Sequence, residues 1–237
     1  MMSSSKEIDI TFVRHGQTDY NLKKFTQGQA SVPLNGTGMN QAILVGKSLS
    51  QNNFDIVYSS DLPRAHKTAE IIVQESNVMQ RPAKIIKEVL LREMSHGIYE
   101  HHPSSVCREA AKAAGFSEAD RRHFRPDGGE NQDDVALRAN KFLSKLFQME
   151  CEDKRKENSI LVVSHGLILR ELFKILFEKD TGEKQTLEER KDIIDKGTGP
   201  NTGISKFKVS LDLNKYDLIS TKCSIFLSDA GVKSFNQ

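Results

Sequence analysis

Two apolar runs of this chain end in the same way. Phe12-Val13 leads into Arg14-His15-Gly16, and Val162-Val163 leads into Ser164-His165-Gly166. A single imidazole at a strand end is more often structural than catalytic. Two of them on matching strand ends change the reading, because ligands of open α/β sheets collect beyond the carboxyl ends of the strands. The glycine after each histidine permits close backbone approach. Arg14 stands beside the first histidine and Arg64 follows another strand-like run, so guanidinium forks suited to phosphate oxygens accompany the imidazoles. Taken alone, Arg64 reads equally as a solvated helix residue. A helix starting just after Gly166 would add its N–H groups and positive dipole end to the same anion site.

Phosphoryl transfer to water needs a nucleophile for phosphorus and a proton donor for the departing oxygen. His15 suits the first role, since the neighbouring cations Arg14 and Arg64 disfavour imidazolium and keep one ring nitrogen free. Glu93 suits the second, because a bound phosphate raises its proton affinity by like-charge repulsion. In isolation Glu93 reads as a surface or capping carboxylate; its place after a strand-like run and before Gly97 supports the acid role. The chain has no Walker A loop, Gly-rich dinucleotide turn or acidic metal-ligand cluster. Phosphate charge then falls to side chains, and neither metal nor cofactor is expected.

Strand and helix signals alternate around these residues. Ile8 to Val13 reads as a buried strand, followed by a polar loop to Pro33. Asn35 or Thr37 can cap a helix whose apolar side holds Ala42, Leu44, Val45 and Leu49. Asp55 to Tyr58 reads as a strand, Leu62 to Glu75 as a helix with Pro63 in its first turn, and Lys84 to Val89 as another strand. A long amphipathic helix spans about Asn131 to Glu150, with Val135, Leu137, Phe142, Leu143, Leu146 and Phe147 available to the core. Ser159 to Ser164 is continuously apolar at its centre, as a strand covered on both faces should be. A helix from Leu167 to Phe177, a charged stretch from Glu178 to Thr198, and strands at Ile204 to Leu211 and Tyr216 to Leu227 complete the chain.

The pattern implies one α/β domain over 1–237 with a mostly parallel sheet and a cap insertion at about 98–127. Contacts to the non-transferred part of a substrate should come from that cap. His101, His102 and Lys112 are candidates there, with solvent as their default. Arg121, Arg122 and Arg125 form a basic edge, either solvated or turned to substrate.

Composition narrows the partners. The 237 residues carry 34 Lys+Arg against 32 Asp+Glu, a net charge of +2, which argues against a dedicated nucleic-acid or membrane-surface binder. With 37% hydrophobic and 28% charged residues, wholesale disorder is excluded. No apolar run approaches the ~20 residues of a membrane helix, and Met1 to Ser5 lacks the apolar core of a secretory signal. Cys107, Cys151 and Cys223 are scattered, odd in number and without a CxxC, and none stands beside a convincing base in sequence. A reduced cytoplasm is the expected setting.

Taken together, Arg14-His15-Gly16-Gln17-Thr18, Asn21, Pro33-Leu34 to Gly38, Ser59-Ser60-Asp61-Leu62 with Arg64 and Thr68, Glu93, Gly128-Gly129-Glu130 and Ser164-His165-Gly166 resemble the histidine phosphatase, or phosphoglycerate mutase-like, superfamily. The resemblance covers most of the chain in order. It implies a three-layer α/β/α fold, a phosphohistidine at His15, a phosphate pocket from Arg14, Arg64, His165 and Gly166, and Glu93 as the acid. It also implies that Asn21, Gln27 and Gly28 line the substrate phosphate. Pro200-Asn201-Thr202-Gly203, the Gly-Gly-Glu segment and Leu91-Arg92-Glu93 are most similar to TIGAR-type fructose-2,6-bisphosphatases. Mutases usually carry Tyr three positions after the acid and Lys further on, where this chain has His96 and Ser104. The implied activity is metal-independent hydrolysis of a small phosphorylated metabolite, a sugar bisphosphate such as fructose-2,6-bisphosphate. The alternatives are 2,3-bisphosphoglycerate or phosphoprotein substrates, or a non-catalytic phosphate-binding module.

Overall fold

A computed structural model describes residues 6–76, 84–153, 155, 157–178, 186–212, 215–226 and 232–234. Met1 to Ser5, Leu227 and the Cys223 side chain lie outside the described residues. In chain order the elements are β1 (Lys6–Arg14), α1 (Asp19–Lys23), α2 (Gly36–Ser48), β2 (Ile56–Ser59), α3 (Pro63–Glu75), β3 (Ile85–Lys87), α4 (Ser104–Ala113), α5 (Gln132–Glu152), β4 (Glu157–Ser164), α6 (Gly166–Glu178), α7 (Leu187–Thr198), β5 (Ile204–Asp212), β6 (Lys215–Phe226) and β7 (Val232–Ser234).

The strands form one sheet in the order β3-β2-β4-β1-β5-β6-β7. The half from β3 to β1 is parallel, whereas β5, β6 and β7 extend it antiparallel. Strand alternation builds two cores from this sheet. In β4, Ile160 and Val162 pack with Phe142, Leu143, Leu172 and Phe173 of α5 and α6 on one face. Leu161 and Val163 pack with Val45, Ala65, Ala69 and Ile72 of α2 and α3 on the other. All four β4 residues are fully buried, as a strand sandwiched between two helical layers requires. The result is the expected α/β/α arrangement.

Local chemistry sets the helix starts. Asn35 caps α2 by accepting from the Gly38 N–H, and Pro63 opens α3, where its missing N–H costs nothing. Asn131 and Asp134 form a reciprocal capping box at α5, worth about 1 kcal/mol. Thr18 and Asn21 do the same for α1, a five-residue helix inside the stretch expected to be loop. Two leucines assigned to the core are solvent-facing: Leu44 is 44% and Leu137 is 55% exposed. Each falls off the buried stripe of its helix, which runs through Gln41, Ala42 and Val45 in α2 and through Val135, Ala139 and Phe142 in α5. The short β7 was not anticipated.

Candidate active site

The register of β1 against β4 brings the two histidines together. Arg14 pairs with Ser164 in a parallel ladder, so the next residue on each strand emerges on the same side of the sheet end. The rings of His15 and His165 lie 5.1 Å apart, centroid to centroid. Both are buried, at 2% and 0% exposure. The His15 N–H donates to the Ser164 carbonyl at 2.9 Å, stitching the two strand ends.

Each imidazole has one nitrogen committed. His15 Nδ1 lies 2.7 Å from the Gly16 carbonyl oxygen. A carbonyl only accepts, so Nδ1 carries the proton and Nε2 keeps its lone pair. His165 Nε2 contacts Ser60 Oγ at 2.8 Å. Burial holds both rings well below the usual histidine range, and the charges of Arg64 and Arg14 push in the same direction. His15 is therefore neutral and available as a nucleophile.

The two arginines are fixed by backbone rather than by carboxylates. Arg64 is 1% exposed; its Nη1 and Nη2 donate to the Ala30 and Gly28 carbonyls at 3.1 and 2.7 Å. Arg14 donates from Nη1 to the carbonyls of Thr198 and Gly199. Burial pulls both guanidinium pKa values down, Arg64 to about 10, with Glu93 opposing the shift. Both remain charged at neutral pH, and neither charge has an ion-pair partner at close range among the described residues. Three buried nitrogens here, Arg14 Nε, Arg64 Nε and His165 Nδ1, have no hydrogen-bond partner among the described residues. Buried polar atoms are rarely left so. Their convergence at one set of strand ends marks a place built for an anion.

Gly166 lets these groups close up. A Cβ there would stand 3.2 Å from the Thr198 carbonyl oxygen and 3.5 Å from the Arg14 guanidinium. The first turn of α6 serves a different group from the one expected. The Leu167 N–H donates to Glu93 Oε2 at 3.1 Å, while Glu93 Oε1 accepts from the Met94 N–H at 2.8 Å. That helix end thus orients the carboxylate.

Arg14, His15, Arg64 and Glu93 line one cavity of about 540 Å³, together with Gln27 and Gly28. Asn21 is not among the residues lining it. Its side-chain oxygen accepts from the Thr18 N–H at 3.0 Å and from the Asn201 amide at 3.3 Å, in the capping box of α1.

The far wall comes from α4 and the chain after it: Ser104, Cys107, Arg108, Arg121, Arg122 and Phe124. His101, His102 and Lys112 are exposed and do not line the cavity. Arg125 points to Asp134, at 2.7 Å, and is also absent from the wall. Arg108 was overlooked, although Ser104, Cys107 and Arg108 share one helix face by their three- and four-residue spacing. Cys107 does have a basic neighbour, contrary to expectation: its Sγ lies 3.8 Å from His96 Nδ1. The two are 11 residues apart, joined by a loop that sequence spacing does not predict. Burial raises the Cys107 pKa, so the group stays a thiol.

Asn201 and Thr202 were recognised by pattern only, and their placement is specific. Asn201 Nδ2 donates to the His15 carbonyl at 3.0 Å, and the Thr202 N–H to the Arg14 carbonyl at 3.1 Å. Among the described residues no group of three or more His, Cys, Asp or Glu is arranged to hold a metal ion, and no helix is long and apolar enough to cross a membrane.

Residues 10–190 match the model of the histidine phosphatase superfamily (branch 1). The chain is 32% identical to the fructose-2,6-bisphosphatase TIGAR of Xenopus tropicalis, over 85% of this chain and 86% of that one. It is 30% identical to the TIGAR of Mus musculus, over 90% and 93%. Among solved structures, a phosphoglycerate mutase from Bacillus anthracis superposes with a TM-score of 0.71 at 24% identity, covering 92% of this chain and 93% of that one. A mycobacterial glucosyl-3-phosphoglycerate phosphatase gives 0.69 at 22% identity, covering 90% and 98%. At those identities the superpositions speak to the fold alone.

Proposed function

The chain belongs to the histidine phosphatase superfamily (branch 1), and we propose that it hydrolyses a sugar bisphosphate, fructose-2,6-bisphosphate foremost, through a phosphohistidine at His15. One observation carries this reading: a buried neutral imidazole, flanked by two guanidiniums, shares a cavity with a carboxylate held on two backbone N–H groups. The TIGAR relatives supply the substrate.

In the first step His15 Nε2 attacks phosphorus and the P–O bond to the sugar breaks. Glu93 donates a proton to the departing oxygen. In the second step water attacks the phosphohistidine, Glu93 takes the water proton, and inorganic phosphate leaves with His15 neutral again. Arg14, Arg64 and the Nδ1 side of His165 stabilise the charge on the transferring group. With two guanidiniums in that role the reaction proceeds without a metal or other cofactor.

The chain works as one domain in which 98–127 is the cap. Arg108, Arg121 and Arg122 on its cavity side meet the second anionic group of the substrate. A cytoplasmic setting suits the free thiol of Cys107. The test is phosphate release from fructose-2,6-bisphosphate in excess EDTA, intact protein against His15→Ala, with trapping of an acid-labile phosphoenzyme. Turnover and trapping only in the intact protein are expected. Turnover that persists in His15→Ala overturns the mechanism. Phosphohistidine formed only from 2,3-bisphosphoglycerate or phosphopeptides overturns the sugar substrate.

A further inference from the structure

The Gly128-Gly129-Glu130 segment has no part in the mechanism above, yet it is tied to the loop that carries Glu93. The Glu130 N–H donates to the Ser95 carbonyl at 2.9 Å, and the Ser95 N–H donates back to Glu130 Oε2 at 2.9 Å. The Ile98 N–H donates to the Asp127 carbonyl at 3.1 Å. Gly97 lies between these links with φ +52. A Cβ there would strike the Asp127 carbonyl and stand 2.8 Å from Gly128.

Arg138, nearly two turns into α5, completes the tie. Its Nε and Nη2 grip Glu130 at 2.7 and 2.9 Å. Its Nη1 donates to the carbonyls of Leu90 and Arg92, both at 2.9 Å, and Nη2 reaches the Glu93 carbonyl at 3.3 Å. One guanidinium thus holds three backbone carbonyls across the four residues that end in Glu93. Both partners are largely shielded, with side chains 16% and 20% exposed.

We infer that the Glu130–Arg138 pair is a positioning unit for Glu93, setting where the carboxyl stands relative to the departing oxygen of the substrate. Neither residue lines the cavity, so the pair acts through the backbone of 90–95. Glu93 reaches its two N–H partners, at Met94 and Leu167, only if that backbone is correctly placed against α6. The inference rests on the phosphohistidine reading and names what keeps its acid in register.

The experiment compares two substrates that differ in their need for an acid. An alkyl phosphate loses a poor leaving group and needs the proton, whereas 4-nitrophenyl phosphate loses a stable phenolate and needs it far less. The quantity kcat/KM covers only the steps through phosphoryl transfer to His15, which isolates the acid role from the later attack of water. For Glu130→Gln and Arg138→Lys, kcat/KM for the alkyl ester should fall on the order of tenfold or more beyond any fall for the aryl ester. The pH dependence for the alkyl ester should change while that for the aryl ester holds. A simple loss of folded protein lowers both substrates in proportion, so an equal fall overturns the inference, as does no fall for either. An intact protein that forms no phosphoenzyme from either ester overturns the phosphatase reading, and this inference with it.

Discussion

The two walls of the cavity are built on opposite plans. On the sheet side, His15 and Arg64 are almost wholly buried, and backbone groups hold them in place. On the cap side, α4 buries only Ala111, and Arg121 has a side chain 45% exposed beside Glu118 at 3.4 Å. A small aromatic cluster, with Phe116 and Phe124 rings 5.6 Å apart edge to face, gives the cap a packing centre of its own. The difference separates two tasks. Groups proposed to act on the transferring phosphate cannot move without unpicking the sheet, whereas groups proposed to face the remainder of the substrate can change at little cost to the fold.

Substitutions can break or sharpen that contrast. The largest effect is expected at His15→Ala, which removes the proposed nucleophile; covalent turnover and labelled phosphoenzyme should both be lost in a rapid-quench measurement. Arg64→Ala comes next. Turnover should fall by about a hundredfold or more through lost charge stabilisation, and the melting temperature should fall too, because the Gly28 and Ala30 carbonyls lose their donor. On the cap side, Arg121→Ala or Arg122→Ala should raise KM for a bis-anionic substrate roughly tenfold, with kcat and melting temperature unchanged. A cap variant that lowered kcat as strongly as Arg64→Ala would end the division of labour.

The smallest effect is a pH dependence of stability. His15 and His165 have folded pKa values held well below 6.5, so below about pH 6.5 the unfolded chain binds protons that the folded chain refuses. Stability should therefore fall as pH drops from 7 towards 5 and stay level, as far as these groups are concerned, above 7. His165→Asn should make that acid slope shallower in thermal melts. An unchanged slope would show that the burial of His165 is not what the acid limb reports.

The sheet side was far more legible in the sequence than the cap. Ile160 to Val163 declares a doubly covered strand because only apolar residues survive there, and each His-Gly at a strand end follows from that assignment. Once β1 and β4 are neighbours, residues far apart in sequence must meet. The half-exposed cap has no such constraint: its helix faces water on one side and the cavity on the other, so polar residues occupy both. That is why nothing in the sequence sets Arg108 apart from His101, His102 and Lys112, which do not line the cavity, and why the approach of Cys107 to His96 leaves no trace in the spacing. Leu44 and Leu137 show the converse limit, since a leucine on a helix announces hydrophobicity but not which way it turns. Asn21 shows a third, in which a residue picked out by pattern spends its side-chain oxygen on capping a helix.

The hold of Asn201 on the His15 carbonyl spans 186 residues. During synthesis His15 emerges early, but the loop that seats its backbone leaves the ribosome only after most of the sheet, and long-range pairings of this kind form late and slowly. A nascent or truncated chain can therefore bury much of its core and still leave His15 misplaced. Catalytic competence should therefore report completed assembly, with a partly made copy inactive.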